Sequence, residues 1–315
     1  MTAYLVRRLI AMLPVLAVVA VVSFSIIHLA PGDPVLMILG EDATATDIEN
    51  VRRELGLDRP LYLQFLSFVG QLLRGDLGTS LFFSSPVSEA ILQRAEPTIM
   101  LTLLSLSIAV TLGVLMGIVA AVKRNTIVDQ SILVVSLFGV AMPNFWLGLN
   151  LILLFSVTLG WLPTSGYVPI AEGGIVGVLR SLLLPAIALG FSQAALISRM
   201  TRSSVLDVLS QDYIRTARAK GVLPRMVLAR HALRNALIPV MTVAGITMAT
   251  LIGGSVVIET VFAIPGVGSL MVQSIFRRDY PVIQGTLLVV AALYVLVNLL
   301  VDMVYVALDP RISYS

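Results

Sequence analysis

The groups that could bind, ionise or attack are few in this 315-residue sequence. With no cysteine there is no thiolate metal site, disulfide or cysteine nucleophile. The two lysines, Lys123 and Lys220, follow Val122 and Ala219, so neither ends a Gly-Lys-Ser/Thr phosphate loop and the chain is not itself a P-loop ATPase. The two histidines, His28 and His231, fall on opposite sides of the membrane in the topology argued below. No His/Asp/Glu cluster then has metal-ligand spacing, and Ser/His/Asp hydrolysis fails on the same grounds. Ion coupling usually places carboxylates or histidine near a bilayer midplane. Here His28, Glu259 and Asp302 lie towards the ends of apolar stretches and read as interfacial, solvated or helix-end residues. A non-catalytic protein remains, whose energy comes from a partner.

A partner should dock where polar residues are concentrated. Asp212-Tyr213-Ile214-Arg215-Thr216-Ala217-Arg218-Ala219-Lys220-Gly221 is such a place. In a short helix there, Ala217 and Gly221 lie one turn apart and form a small-residue face that can enter a groove, while Arg215 and Arg218 offer polar contacts at its rim. A second set of residues suits the lining of a solute path: Asn144 beside Pro143, Ser192 and Gln193, then Gly253, Gly254 and Ser255, with Glu259 at an external mouth. The competing reading of each is helix packing, since small and polar residues in spans commonly serve that purpose.

The elements that must position these residues follow from composition. Hydrophobic residues make up 57% of the chain and charged residues 12%, against roughly 45–50% and about 25% in soluble domains. The mean hydropathy is +0.96, so the chain is expected to be an all-α membrane protein. Six uncharged stretches follow one another: Leu9 to Gly32, Pro97 to Val122, Gln130 to Ala171, Ser181 to Ser198, Asn235 to Ile258 and Tyr280 to Val301. Each suits one spanning helix of about 20 residues, the third ending near Leu159 before the Trp161-Leu-Pro163 turn. The first, preceded by Arg7 and Arg8, is too long for a signal-peptide core and lacks a small-x-small cleavage pattern. With the N-terminus inside, the inner pieces hold 13 of the 21 basic residues and four acids, so both termini are expected to be cytoplasmic. A net charge of +3 suggests no nucleic-acid partner.

Three segments are expected: residues 1–32 with the first span, an external helical insertion at 33–96, and a core at 97–315 with five spans and a cytoplasmic loop at 199–234. In the insertion, Thr46-Asp47-Ile48-Glu49 reads as a capping box opening a helix with Ile48, Val51 and Leu55 on one face, closed by Gly56. Leu61 to Leu73 is apolar nearly all round and should lie against the membrane or other helices, with Gly75-Asp-Leu-Gly78 as a turn. In the loop, Val205 to Lys220 reads as one helix, Gly221 as its C′ glycine and Pro224 as the start of the next.

Tyr213-Ile-Arg-Thr-Ala-Arg-Ala-Lys-Gly221 followed by His231-Ala-Leu-Arg-Asn-Ala-Leu-Ile-Pro239 resembles the EAA coupling loop of ABC importer permeases, in the variant of the dipeptide, oligopeptide and nickel class. Against the general pattern, Arg215 and Thr216 stand where Glu and the first Ala are usual. Ala217, Gly221 and Leu233 are kept, and His231 and Arg234 replace Ile and Pro, with Asn235 following. Pro31-Gly-Asp-Pro34, Leu55-Gly-Leu-Asp58 with Pro60-Leu61, Gly75-Asp-Leu-Gly78, Trp161-Leu-Pro163, Gly253-Gly-Ser255 with Glu259, Pro265-Gly-Val-Gly268 and Arg278-Asp-Tyr-Pro281 resemble the same branch in order. The start at Tyr4-Leu-Val-Arg-Arg8 and the insertion look like the first of the two permeases in such systems. The resemblance implies a multi-pass protein of the bacterial plasma (inner) membrane with the type I importer fold, forming half of a translocation path by alternating access. It also implies a second homologous permease, two ABC ATPase subunits or domains holding ATP and Mg, an extracytoplasmic solute-binding protein, and no cofactor in this chain. Peptides are the expected solute. Nickel, glutathione or another small solute of the same class is the alternative, and an ion-coupled secondary carrier is the alternative from another class.

Overall fold

The computed structural model describes residues 2–29, 35, 44–54, 57–83 and 85–308. Among them the architecture is helical: α1 (Thr2–Leu29), α2 (Ala45–Glu54), α3 (Leu61–Leu73), α4 (Val87–Val122), α5 (Ile127–Ala141), α6 (Asn144–Leu151, continuing as a π-helical stretch Ile152–Thr158), α7 (Ile170–Leu209), α8 (Asp212–Ala219), α9 (Pro224–Met226, then π-helical Val227–Ala232), α10 (Leu233–Val261), α11 (Val267–Arg277) and α12 (Tyr280–Leu308).

Among the described residues, five helical segments are long and apolar enough to cross a membrane: Ile10–Leu29, Val87–Val122, Ile170–Leu209, Pro224–Val261 and Tyr280–Val301. The expected third span corrects to a broken one, because Ile127–Ala141 and Asn144–Thr158 meet at 104°. The break lies at Met142-Pro143: Met142 is extended at ψ 130, as the residue before proline prefers, and the Pro143 nitrogen has no hydrogen to continue the helical ladder. Counting that bent pair as one span gives six. Other expectations shift locally. Helix α2 opens at Ala45, with the Ile48 amide donating to the Thr44 carbonyl at 3.1 Å, so Thr46 lies inside the helix and does not cap it. Leu55, Gly56 and Pro31-Gly-Asp-Pro34 lie outside the described residues. The helix expected over Val205 to Lys220 is two helices parted at Ser210-Gln211.

The chain forms two compact units. One comprises residues 1–94 and 270–295. There α3 packs on α1 through Phe24 and Phe65, ring centroids 5.3 Å apart and edge to face, and His28 meets the Gln64 side-chain oxygen at 3.2 Å. Gln284 of α12 donates to the Ser23 carbonyl of α1 at 3.0 Å. Asp279, buried, accepts from the Ser80 hydroxyl at 2.6 Å, so Arg278-Asp-Tyr-Pro281 holds the loop before α4.

The other unit comprises residues 95–269 and 296–315. Its central element is α7, against which α5, α6 and α10 pack. Leu101, Leu182, Leu189, Leu251, Ile258 and Phe262 form the core, each almost wholly buried. The helical backbone of α7 breaks at Gly174 (φ 59, ψ −165), and the run beyond that break, at ~1.5 Å per residue, still exceeds a hydrocarbon layer of ~30 Å.

Candidate functional site

Helix α8 begins with a Gln211 backbone in the extended region and ends in a two-bond left-handed cap. The Gly221 amide donates to the Arg218 carbonyl at 2.9 Å and the Val222 amide to the Ala217 carbonyl at 3.3 Å. These are the two bonds of a Schellman motif, and Gly221 at φ +77 supplies the left-handed residue it needs. The motif's apolar contact is present too: Ala217 and Val222 join a cluster built on the fully buried Ile214, with Val227 and Ala232 beneath.

The two small residues of the expected docking face, Ala217 and Gly221, differ in exposure. Ala217 is half-buried on its own chain with Ile214, whereas Asp212, Tyr213, Arg215, Thr216, Arg218 and Gly221 are exposed. A methyl added at Gly221 would meet nothing within 4 Å. The free surface of α8 is thus its polar face. Arg215 and Asp212 pair at 3.3 Å, both strongly exposed, an interaction of little net worth. Asn235 of α10 donates to the Tyr213 hydroxyl at 3.0 Å, so two segments of the sequence motif meet in space. Leu233 packs with Ala121, Val205 and Ala236. His231 is half-buried in the π-helical stretch, and Arg234 is exposed.

Nothing in the sequence pattern marked the clamp between α5 and α7. Arg202, two turns before the end of α7, grips Asp129 at the start of α5 with two hydrogen bonds, Nε to Oδ1 at 2.7 Å and a terminal guanidinium nitrogen to Oδ2 at 2.8 Å. Asp129 also accepts from the Asn125 amide at 2.9 Å, and Asn125 takes a left-handed φ of 63 in the α4–α5 turn. An acid two residues into one helix and an arginine in another are far apart in sequence, so only packing reveals the pair.

Glu259 is likewise not the solvated acid at a mouth that its place near a span end suggests. It is fully buried and accepts from the Thr98 hydroxyl at 2.7 Å and the Ser269 amide at 2.8 Å. Thr98 in turn accepts from the Val267 amide at 2.8 Å. The Pro265-Gly-Val-Gly268 stretch wraps this carboxylate so closely that a Cβ at Gly266 or Gly268 would collide with it. A nearby pair works similarly: Tyr167 donates to Glu96 at 2.7 Å, and burial first, then the Glu96 carboxylate, holds the phenol above its ordinary pKa.

The candidate path residues divide. Ser255 is fully buried and donates to the Ile252 carbonyl at 2.9 Å, a packing role it shares with Glu259. Gly254 faces Leu189, and Gly253 is open on one side. Asn144, Ser192 and Gln193 instead line one cleft of about 380 Å³ with Pro143, Leu196 and Arg199. The cleft exists because the Pro143 break swings α6 away from the line of α5 beside α7.

The model of the family described as binding-protein-dependent transport system inner membrane component matches residues 109–314, and a companion model for the N-terminal part of such membrane components matches 1–102. The chain belongs to this family of importer permeases. It is therefore a multi-pass inner-membrane transport subunit, and ATP hydrolysis in such systems belongs to separate subunits. This permease is 48% identical over 315 residues, all of both chains, to a Brucella suis protein named as a peptide transport system permease. It is 45% identical over 312 residues, 99% of both chains, to the Escherichia coli glutathione transport system permease protein GsiC. The inward-facing MetNI methionine ABC transporter is similar in fold, with a TM-score of 0.57 at 21% identity over 70% of this chain and 97% of that one.

Proposed function

We propose that this permease is the first of two homologous permeases in an ATP-driven peptide importer. Its termini lie in the cytoplasm, residues 33–96 form an external insertion, and the 199–234 loop docks on ATPase subunits that bind ATP and Mg. An extracytoplasmic solute-binding protein delivers the peptide. The observation that carries this reading is α8: eight residues with a polar, exposed face, sealed at one end by Gly221 and backed by Ile214, between two long apolar helices. Such an element can transmit motion because it is rigid and touches the spans at its back. The solute class is supported by the full-length relatives named for peptide and glutathione transport. Glutathione, itself a modified tripeptide, is the second reading. The deciding experiment is uptake of labelled di- and tripeptides and of glutathione by proteoliposomes containing the complete system. ATP-dependent peptide uptake that survives collapse of the proton gradient is expected. Uptake driven by the gradient without ATP would overturn the proposal.

A further inference from the structure

Arg199 is a cation without a counterion. It is exposed on α7, and among the described residues it makes no ion pair or hydrogen bond, in contrast to Arg202 one turn on, which is held by Asp129. Arg199 lines the cleft with Asn144, Ser192, Gln193, Leu196 and Pro143, and no acidic residue takes part in that lining. Positions 192, 193, 196 and 199 recur at helical spacing and so form one stripe of α7, hydroxyl and amide at one end, apolar side chain between, guanidinium at the other. At ~1.5 Å per residue the stripe is ~9–10 Å long, the reach of about three extended residues. Across it, α6 opens at Asn144 after Pro143, so its first amides have no helical partners and its positive end borders the same space. The uncharged run from Ser181 to Ser198 spans ~27 Å, close to the hydrocarbon thickness, which puts Arg199 at the membrane boundary.

We infer that Arg199, with Asn144, Ser192 and Gln193, forms a subsite for the C-terminal carboxylate of a short peptide at the cytoplasmic mouth of the path. The guanidinium fork matches a carboxylate with two parallel hydrogen bonds, and the side-chain amides suit the peptide backbone behind it. A free arginine at this depth also suits an anionic lipid headgroup, so the test separates the two. The inference rests on the peptide reading above.

The assembled permease–ATPase complex is placed in nanodiscs of phosphatidylcholine, or of phosphatidylcholine with phosphatidylglycerol, and photolabelled with Ala-Ala-(p-benzoyl)phenylalanine as free acid and as C-terminal amide. The free acid should label α7 near residues 192–199 about tenfold more than the amide, in both lipids. Arg199→Gln should abolish that preference, and Arg199→Lys, which keeps a charge but not the fork, should keep part of it. Equal labelling by acid and amide, or an unchanged preference in Arg199→Gln, overturns the subsite. So does labelling that disappears with phosphatidylglycerol, which would assign Arg199 to lipid. If Arg199→Gln does not assemble, Arg199→Lys against the native complex decides, a full native preference counting against the fork. Peptide uptake by the native system is measured alongside: its absence defeats the peptide reading, whereas normal uptake with equal labelling defeats this inference alone.

Discussion

Replacing Gly221 tests whether α8 works as a rigid element with a fixed exit. At φ +77 the residue holds both bonds of the Schellman cap, and the next residue, Val222, returns into the Ile214 cluster. A non-glycine L-residue in that region costs about 1–2 kcal/mol, which at about 1.4 kcal/mol per factor of ten lowers the weight of the native joint roughly 5- to 30-fold. Because an added Cβ meets nothing within 4 Å in this chain, the backbone is the only intramolecular source of that cost. The series Gly221→Asn, Gly221→Ala, Gly221→Val therefore separates two explanations. Asparagine tolerates the left-handed region and should stay near native, alanine should lose several-fold, and β-branched valine should lose most. The assay is the affinity of the ATPase subunits for the permease pair in membranes, read with uptake, while insertion and permease pairing stay normal. Asparagine as damaging as valine would show that bulk against the partner, not the backbone angle, is what matters. Native uptake in Gly221→Val would refute a structural joint at this position.

The Arg202–Asp129 clamp should show positive coupling in a double-mutant cycle read by thermal inactivation of the complex, larger than that of the exposed Arg215–Asp212 pair. Glu259→Ala leaves the Thr98 hydroxyl and the Ser269 amide without their acceptor, at about 1–3 kcal/mol each. The melting temperature in detergent should fall clearly, and less in Glu259→Gln, which keeps one carbonyl oxygen; an unchanged melting temperature in Glu259→Ala would contradict the buried role. In the cysteine-free background, Asp58→Cys should react with a membrane-impermeant thiol reagent added to intact cells with a permeable outer envelope, and Ser210→Cys should not. The reverse pattern inverts the topology.

The sequence by itself determined the class of the molecule and its punctuation. Long uncharged runs leave no choice but spanning helices, because backbone polar groups in hydrocarbon must bond within their own segment. Gly221 and Pro224 were legible as a helix end and a helix start because both constraints are local, the φ of one residue and the missing hydrogen of another. Pro143 was visible too, but not the 104° turn it makes, since the angle depends on what α6 packs against once the ladder is cut. Tertiary structure alone decided the partners of charged and small residues. Glu259, a lone acid near a helix end in sequence, proved to be enclosed by Thr98, Ser269 and two glycines, and Asp129 was claimed by Arg202 from another helix. It also split the candidate path, burying Ser255 while gathering Asn144 and Gln193 into a cleft with Arg199. Burial and pairing are properties of surfaces brought together across the chain, and a linear pattern records only which face of a helix a residue occupies, not what lies opposite.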